Sequence, residues 1–474
     1  MEMETIILGI ALVCGFYMAW SIGANDVANA MGTSVGSGAL TVKRAVIIAA
    51  VLEFAGAFLV GTNVSETIRK GIISPELFAG NEFDLAYGMI GALLAAAVWL
   101  QVASYYGWPV STTHSIVGAV LGFGVMYGGL GAADWPKVGS IVASWVVSPV
   151  LCGTIAFLLF TLIRRIIYHN DDPVGQAKKI TPYLVFFVFS ILTLTMVFKG
   201  LKNLKLDLGF ADALLIACTV GVLASIVSYY LVKRIKPEKV QERVLVKQPD
   251  SVTKGLAEAI THLKKVSSEA HGEIKDQLKT ALHDLNAIDK EVERGTTVEQ
   301  GSGEYRTVER IFIYLQILSA AFVAFAHGAN DVANAVGPLA SVISIMKTGA
   351  VAAKAAVPLW VLALGGVGIV FGLATWGWRV MLTIGKKITE LTPTRGFCAE
   401  FAAATTIVLA SKLGLPISTT HTLVGGVLGV GLARGISALN LRVVTNIAIS
   451  WVVTIPAGAV GAILFYFILK AIFG

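Results

Sequence analysis

The sequence predicts an all-α polytopic membrane protein. Its 474 residues are 55% hydrophobic and only 14% charged, with a mean hydropathy of +0.75, which is far from the balance of a soluble domain. Apolar windows close to the length that a bilayer requires recur along most of the chain. Several sequence blocks also occur twice, in the same order. Together these observations predict about 12 transmembrane helices in two related halves.

The apolar windows give the predicted spans in order, since a span needs about 20 apolar residues, or fewer where a helix is broken and buried in protein. The windows are Thr5–Gly23, Ala45–Gly61, Leu85–Tyr106, Ile116–Gly131, Val138–Ile163, Pro182–Phe198, Ala211–Val232, Ile311–Ala326, Ala355–Trp376, Phe397–Ser411, Leu423–Leu432 and Val443–Leu469. We expect those that adjoin the repeated polar motifs to be broken or re-entrant near the midplane.

Composition then divides the chain into four segments. They are a first membrane repeat at 1–165, two extra transmembrane helices at 166–235, a polar insert at 236–307 and a second membrane repeat at 308–474. Apolar residues recur in the insert at three- and four-residue steps, which predicts one or two amphipathic helices, with a flexible connection over Thr296–Glu304. The distribution of Lys and Arg predicts a cytoplasmic insert and both termini outside.

Three blocks define the repeat. GANDVANA at 23–30 returns at 328–335, GWPVSTTHSIVG at 107–118 returns as GLPISTTHTLVG at 414–425, and SWVV at 144–147 returns at 450–453. Seven windows precede the insert, and because seven is odd the second copy enters the membrane from the opposite face. The sequence therefore predicts two inverted-topology repeats whose equivalent residues meet near the midplane, as in many secondary transporters.

The Ser-Thr-Thr blocks predict an anion site. A Pro two residues earlier keeps the chain extended, Ser is a strong N-cap, and an apolar helix follows at once. A helix N-terminus inside the membrane offers backbone N–H groups and hydroxyls to an oxyanion. The alternative is that these hydroxyls only cap the helix or bond back to a carbonyl one turn earlier. The candidate residues are Ser111, Thr112, Thr113, Ser418, Thr419 and Thr420.

The GANDVANA copies predict a cation site. Asparagines four apart share a helix face beside a carboxylate, and unwinding at Gly23 and Gly328 would expose backbone carbonyls as well. Ligands that are all hard oxygens disfavour a transition metal, and one carboxylate per copy favours a monovalent ion over calcium. The alternative is a pair of polar helix ends that pack against neighbours. The candidate ligands are Ala24, Asp26, Asn29, Ala329, Asp331 and Asn334.

Two further acids, Glu53 and Glu400, lie inside apolar runs and are predicted to line an ion path. His114, His327 and His421 adjoin the motifs and are interpreted as hydrogen-bonded core histidines, with a proton relay left open. No cofactor is predicted, and the four isolated cysteines indicate neither a metal site nor a disulfide framework.

Both GANDVANA copies, with GWPVSTTH and GLPISTTH around a polar insert, resemble the PiT family of inorganic phosphate transporters. The resemblance covers residues 5–165 and 308–474 and implies an inverted duplication, phosphate as cargo and cotransport with a cation, commonly sodium. It assigns phosphate contacts to the two Ser-Thr-Thr blocks with Asn25 and Asn330. It assigns the cation to Asp26, Asp331, Asn29 and Asn334, and marks Glu53 and Glu400 as important acids.

We therefore predict a plasma-membrane secondary transporter, not an enzyme, that imports phosphate with sodium by alternating access. The predicted partners are phosphate, sodium, the lipid bilayer and a second copy in a homodimer, with no nucleic acid. The nearest alternative is a proton-coupled phosphate or metal-phosphate symporter. An anion channel would not need buried carboxylates beside the helix ends. An intramembrane hydrolase would need an oriented Asp beside Ser111 and His114, and the sequence identifies none.

Overall fold

The structure of the chain is a computed structural model. It describes residues 2–70, 72–197, 208–237, 244–246, 250–294, 296–298, 303–350, 357–378, 380–381, 390–435 and 439–474. The predicted windows Pro182–Phe198 and Ala355–Trp376 each extend into residues outside these ranges. The chain divides into two units: Met1–Ile235 with Glu309–Gly474, and Lys236–Val308. We refer to them as the membrane unit and the insert unit.

The membrane unit is helical. Its helices before the insert are α1 (Glu2–Gly36), α2 (Val42–Val60), α3 (Thr62–Lys70), α4 (Glu82–Tyr106), α5 (Thr112–Gly128), α6 (Trp135–Ile163), α7 (Pro173–Thr195) and α8 (Phe210–Lys233). Short 3₁₀ turns lie at Pro75–Phe78 and Leu130–Ala132, and a π-helical turn at Arg164–Tyr168 extends α6.

The insert unit contains α9 (Asp250–Glu269) and α10 (Glu273–Arg294), in agreement with the amphipathic periodicity of its sequence. It also contains an antiparallel pair of three-residue strands, β1 (Val244–Val246) and β2 (Thr296–Val298). The flexible connection predicted over Thr296–Glu304 is therefore wrong over its first three residues, which form β2, and over its last two, which begin the next helix, while residues 299–302 lie outside the described residues. The pairing is also an exception to the all-α prediction. Periodicity does not reveal it, because each strand is too short to show alternation.

The helices after the insert are α11 (Gly303–Thr348), α12 (Leu359–Thr375), α13 (Pro393–Lys412), α14 (Thr419–Arg434) and α15 (Leu441–Phe473). Helix α11 begins in the insert unit and continues into the membrane unit. By length and apolar composition, seven helices of the described chain could cross a membrane. They are Met3–Gly36, Glu82–Tyr106, Trp135–Tyr168, Pro173–Thr195, Phe210–Lys233, Gly303–Thr348 and Ile447–Phe473.

The two GANDVANA copies lie inside continuous helices, so the predicted breaks at Gly23 and Gly328 are wrong. These glycines allow close helix contacts instead. A Cβ atom built on Gly23 would lie 1.9 Å from the carbonyl oxygen of Ile369 in α12, and one on Gly328 would lie 2.1 Å from the carbonyl oxygen of Glu53 in α2. Without side chains at these points the backbones can touch, which is how helices associate inside lipid.

Helices α5 and α14 begin as the sequence predicts. Ser111 and Ser418 have extended backbones, and each side chain accepts a hydrogen bond from the backbone N–H three residues later. In each copy the cap follows a glycine in the left-handed conformation, Gly107 or Gly414, each with φ of 68°. The caps are buried, so both helix N-termini lie inside the protein.

Helix packing crosses between the halves. Helix α5 packs against α15 and α14 packs against α6, while α4 packs against α15 and α13 against α6. Equivalent glycines permit the first two contacts: a Cβ on Gly118 would lie 2.6 Å from the carbonyl oxygen of Ile455, and one on Gly425 would lie 2.3 Å from that of Pro149. Each half therefore supplies the last helix against which the other half's capped helix rests.

Candidate functional site

The two aspartates of the repeated octapeptide are fully buried. In each half the carboxylate accepts a hydrogen bond from the first residue of the capped helix of the same half. Thr112 Oγ1 donates to Asp26 Oδ2 over 2.7 Å, and Thr419 Oγ1 donates to Asp331 Oδ2 over 2.7 Å. Because this contact is repeated at the same length, the two motifs of each half form one local unit.

Hydrogen bonds between the halves join the two local units. Asn29 Nδ2 donates to Thr420 Oγ1 over 2.8 Å, and Asn334 Nδ2 donates to the hydroxyls of Thr112 and Thr113 over 3.2 Å each. The structure thus brings all four repeated motifs into direct contact at one buried place, although they lie up to 394 positions apart in the sequence.

The hydroxyls of the second threonines also reach across the interface. Thr113 Oγ1 donates to the carbonyl oxygen of Ile417 over 2.9 Å, and Thr420 Oγ1 donates to that of Val110 over 3.1 Å. These acceptors belong to the extended loop that leads into the other half's capped helix. The alternative that these hydroxyls bond back within their own helix is therefore wrong for Thr113 and Thr420.

The remaining asparagines are oriented by residues that the sequence analysis missed. Asn25 Nδ2 donates to Ser104 Oγ over 3.0 Å, and Asn330 Nδ2 donates to Ser411 Oγ over 2.9 Å. Ser104 and Ser411 are equivalent positions at the ends of α4 and α13. Each lies three residues before the glycine of the Gly-Trp-Pro or Gly-Leu-Pro block, and this equivalence is the only signal that could have identified them.

The same geometry leaves a set of buried oxygen atoms without hydrogen-bond partners in the described chain. They are Oδ1 of Asn25, Asn29, Asn330, Asn334 and Asp331. A buried acceptor without a partner costs about 1–3 kcal/mol, so such a group needs a reason. Five oxygens in and beside one contact network provide a donor set that suits a hard cation.

His327 is a buried core histidine, as the sequence predicts, and it lies among acids of both repeats. Its Nε2 lies 2.9 Å from Asp331 Oδ2 and 3.8 Å from Asp26 Oδ2, and its Nδ1 lies 3.3 Å from Glu53 Oε1. Asp26, His327 and Asp331 present ligand atoms within 4.8 Å of one another. An imidazole nitrogen therefore lies beside the oxygen atoms that the sequence predicts as cation ligands. The available signal was a difference between the repeats, because Ile22 occupies the position equivalent to His327.

Glu400 lies in a separate buried cluster. Its Oε1 accepts from Thr33 over 2.6 Å and Ser34 over 2.7 Å, and from Gln316 Nε2 over 3.1 Å, while its Oε2 accepts from Ser319 over 2.6 Å. Thr33 lies seven residues after Asp26, about 10 Å further along α1. Glu53 and Glu400 were predicted together but have different surroundings, since Glu53 faces His327 and Glu400 faces hydroxyls and an amide.

Four aromatic rings are in contact at the starts of the capped helices, with the two histidine rings edge to face at 81°. The His114 and His421 ring centroids are 4.2 Å apart, Trp145 lies 3.8 Å from His114, and Trp451 lies 3.5 Å from His421. Trp145 Nε1 also donates to the carbonyl oxygen of Pro416 over 3.1 Å. Both histidines are core residues as predicted, but neither ring nitrogen of His114 has a hydrogen-bond partner in the described chain.

Comparison with known proteins gives one consistent result. Residues 22–462 match the model of a family described as the phosphate transporter family. The chain is 47% identical over 476 residues to inorganic phosphate transporter 2-1, chloroplastic, of Arabidopsis thaliana, a match that covers 100% of this chain and 74% of that one. It is 45% identical to a putative phosphate permease of Chlamydia pneumoniae, over 98% of both chains.

A solved structure, named the sodium-dependent phosphate transporter, matches with a TM-score of 0.80 and 38% sequence identity. The match covers 98% of this chain and 100% of that one. The predicted resemblance is therefore confirmed over almost the whole sequence, and the matching family is one of transporters and not of enzymes. This chain is an integral membrane protein and belongs to the phosphate transporter family.

Proposed function

We propose that the chain imports inorganic phosphate together with sodium by alternating access. The observation that carries the proposal is the set of hydrogen bonds between halves that joins both Ser-Thr-Thr blocks to both GANDVANA copies. These bonds bring helix N-termini, which favour anions, next to carboxylates and carboxamide oxygens, which favour cations. A site with both characters suits a cargo of an anion and its counter-cations.

The phosphate would bind at the N-termini of α5 and α14. Thr112 and Thr113, with Thr419 and Thr420, begin these helices, and the dipole and free N–H groups of a helix start favour an oxyanion. Asn25 and Asn330 adjoin the same ends, because each donates to the chain just before them. None of the described hydrogen bonds or ion pairs of these residues involves Lys or Arg, which suits a site that must also release its anion.

The sodium ions would bind beside the two aspartates. Asp26 and Asp331 provide the charge, and the unpartnered Oδ1 atoms of Asn29 and Asn334 provide neutral ligands. The backbone carbonyls of Ala24 and Ala329 remain ligand proposals, although the helices stay continuous there. One elementary charge crossing 100 mV is worth about 2.3 kcal/mol, so phosphate entering a negative interior needs compensating cations. Two copies of the motif supply two cation sites.

Glu53 and Glu400 would line the path by which cations reach these sites. Both are fully buried, and buried intramembrane acids mark ion pathways in transporters. Glu53 contacts His327, which in turn contacts both aspartates. The Glu400 carboxylate instead accepts four hydrogen bonds in its own cluster. We assign them to different stages of the path because their partners differ.

The proposed topology is an inverted repeat of about 12 crossings in the plasma membrane, with both termini outside and residues 236–307 in the cytoplasm. The reciprocal packing of α5 on α15 and of α14 on α6 supports a two-fold relation between the halves. In this proposal α5 and α14 are the helical parts of broken crossings, because they are 17 and 16 residues long and begin inside the protein after an extended loop. We also propose that two copies of the chain form a homodimer.

One observation favours proton coupling as the second candidate. His327 contacts Asp26, Asp331 and Glu53, and a histidine among acids is a common proton carrier. The same site would then drive uptake of phosphate or a metal-phosphate complex with protons in place of sodium.

Uptake of radiolabelled phosphate into proteoliposomes separates these functions. We expect an inward sodium gradient at equal pH to drive accumulation and a proton gradient in choline buffer to drive little. Asp26→Asn and Asp331→Asn should each lower sodium-driven uptake by at least about 100-fold, since each removes a charge needed to hold a cation. Asp212→Asn, in the first turn of α8, serves as the control with parental uptake. Accumulation driven equally well without sodium would reject sodium coupling.

A further inference from the structure

An apolar cavity of about 670 Å³ lies among α7, α8 and α11. Helices α7 and α8 belong to the segment 166–235, which has no counterpart among the repeated blocks. The lining side chains include Val185 and Phe189 of α7, Ala224 and Leu231 of α8, and Leu315 and Leu318 of α11. Its size falls within the range of about 300–1,000 Å³ that is usual for small-molecule sites.

The chemistry of the lining selects an apolar ligand. Three of the lining residues, Thr181, Ser228 and Tyr314, are polar, and the Thr181 hydroxyl donates to the carbonyl oxygen of Ala177 over 2.7 Å within its own helix. Neither phosphate nor a metal ion finds charged ligands among the lining residues. A hydrocarbon chain needs none, and the surrounding bilayer supplies such chains.

One end of the cavity is basic. Lys178 precedes Thr181 by one turn and donates from Nζ to the carbonyl oxygen of Ile235, a lining residue, over 2.5 Å. Lys179 and Arg234 are exposed at this end. Asp172, six residues before Lys178, caps the start of α7 through the N–H of Gly175, and Glu309, two residues before Ile311, accepts from Thr394. An apolar cavity with a basic end matches the two parts of an anionic lipid.

The cavity also borders the helix that carries the second GANDVANA copy. Ile311, Leu315 and Leu318 line it from α11, whereas Gln316 and Ser319 of the same helix turn towards Glu400. A ligand in the cavity would therefore contact one face of α11, while another face of α11 supplies two of the donors to Glu400.

We propose that this cavity binds one acyl chain of an anionic phospholipid, with the headgroup at Lys178 and Arg234. The site would be separate from the transport site, because it shares no residue with the four repeated motifs.

Native mass spectrometry of the purified full chain, supplied with phosphatidylglycerol or phosphatidylcholine, tests the proposal. We expect the parent to retain one phosphatidylglycerol and to prefer it over phosphatidylcholine by about tenfold, since a basic end favours a negative headgroup. Ala224→Phe fills the cavity and should lower retention at least about tenfold. Leu223→Phe is the matched control on the same helix, because Leu223 is 59% exposed, and it should retain lipid as the parent does.

The charge at the cavity end is tested separately. Arg234→Gln should remove most of the preference for phosphatidylglycerol, whereas Lys347→Gln, at the other end of α11, should preserve it. Equal retention of both lipids by the parent would overturn the proposal, and this measurement needs no variant. The proposal would also be overturned if Ala224→Phe retained as much phosphatidylglycerol as the parent. A dimer that carries no lipid would overturn it too, because a second copy of the chain would then cover the cavity.

Discussion

The two membrane repeats form the same contacts at the capped helices but differ around the aspartates. Thr112 and Thr419 donate to Asp26 and Asp331 at equal distances, whereas the position before the octapeptide is Ile22 in one half and His327 in the other. Glu400 has an apolar counterpart too, since the flanking motif's offset places Leu93 in the equivalent position.

This difference separates two requirements of a transporter. In the proposed mechanism, a symmetric anion would need donors from both sides, and duplication would supply them in matching positions. Two cation sites that fill in order would need unequal affinity, and unequal neighbours would provide it. His327 lies 2.9 Å from Asp331 and 3.8 Å from Asp26, so the two carboxylates have unequal surroundings although their threonine contacts are alike.

The largest effect on stability should follow removal of the histidine. If His327 is protonated, His327→Gln leaves Asp26, Glu53 and Asp331 buried together without the positive charge that lies against them, and breaking a buried ion pair costs about 3–5 kcal/mol. We expect that loss in the free energy of unfolding in sodium-free detergent, with partial recovery in sodium, because a bound cation replaces the missing charge. His262→Gln, exposed in the insert unit, is the control. A change below about 1 kcal/mol would contradict the role of His327 in balancing these acids.

A smaller effect should come from a glycine at a helix contact. Gly23→Ala adds a methyl group where a Cβ would lie 1.9 Å from a carbonyl oxygen of α12, and overpacking of this kind costs about 1–3 kcal/mol. Gly9→Ala, in the same helix with no atom within 4 Å, should be neutral or stabilise by up to about 1 kcal/mol. Thermal unfolding of both variants measures the difference. Equal effects would mean that α1 and α12 do not touch at Gly23.

The edge-to-face pair of His114 and His421 should show coupling between the halves of about 1 kcal/mol, the size usual for an aromatic pair. His114→Ala and His421→Ala, made singly and together, form a double-mutant cycle whose readouts are unfolding free energy and the KM for phosphate. We expect the second substitution to cost less than the first, because the partner ring is already gone. His114→Phe, which keeps a ring, should recover most of the loss. Strict additivity would show that the rings at 4.2 Å do not act together.

The smallest effect should come from an exposed ion pair. Glu390, 77% exposed, pairs with Arg434 over 3.3 Å, and surface pairs contribute about 0–1 kcal/mol. Glu390→Gln should change the unfolding free energy by less than about 0.5 kcal/mol. Asp84→Asn should cost more, because its carboxyl accepts from Tyr127, Tyr466 and Lys470 and its side chain is only 13% exposed. A larger loss at Glu390 would reverse this ranking.

Much of the site could be predicted because duplication made it visible. The proline and serine ahead of α5 and α14 specify a capped start through local chemistry, and the structure has both caps. The unwinding at Gly23 could not be judged from sequence, since glycine serves equally for a break and for close helix contact. The contacts of His327 and the donors around Glu400 depend on which helix faces meet. Neither feature has an equivalent in the other repeat that would identify it in the sequence.

The reciprocal bonds of Thr113 to Ile417 and of Thr420 to Val110 make the two halves depend on each other. Either half, made alone, would keep a hydroxyl donor and a loop acceptor whose counterparts lie on the absent half. Because a buried polar group without a partner is costly, we expect neither half to reach its folded structure when it is expressed without the other.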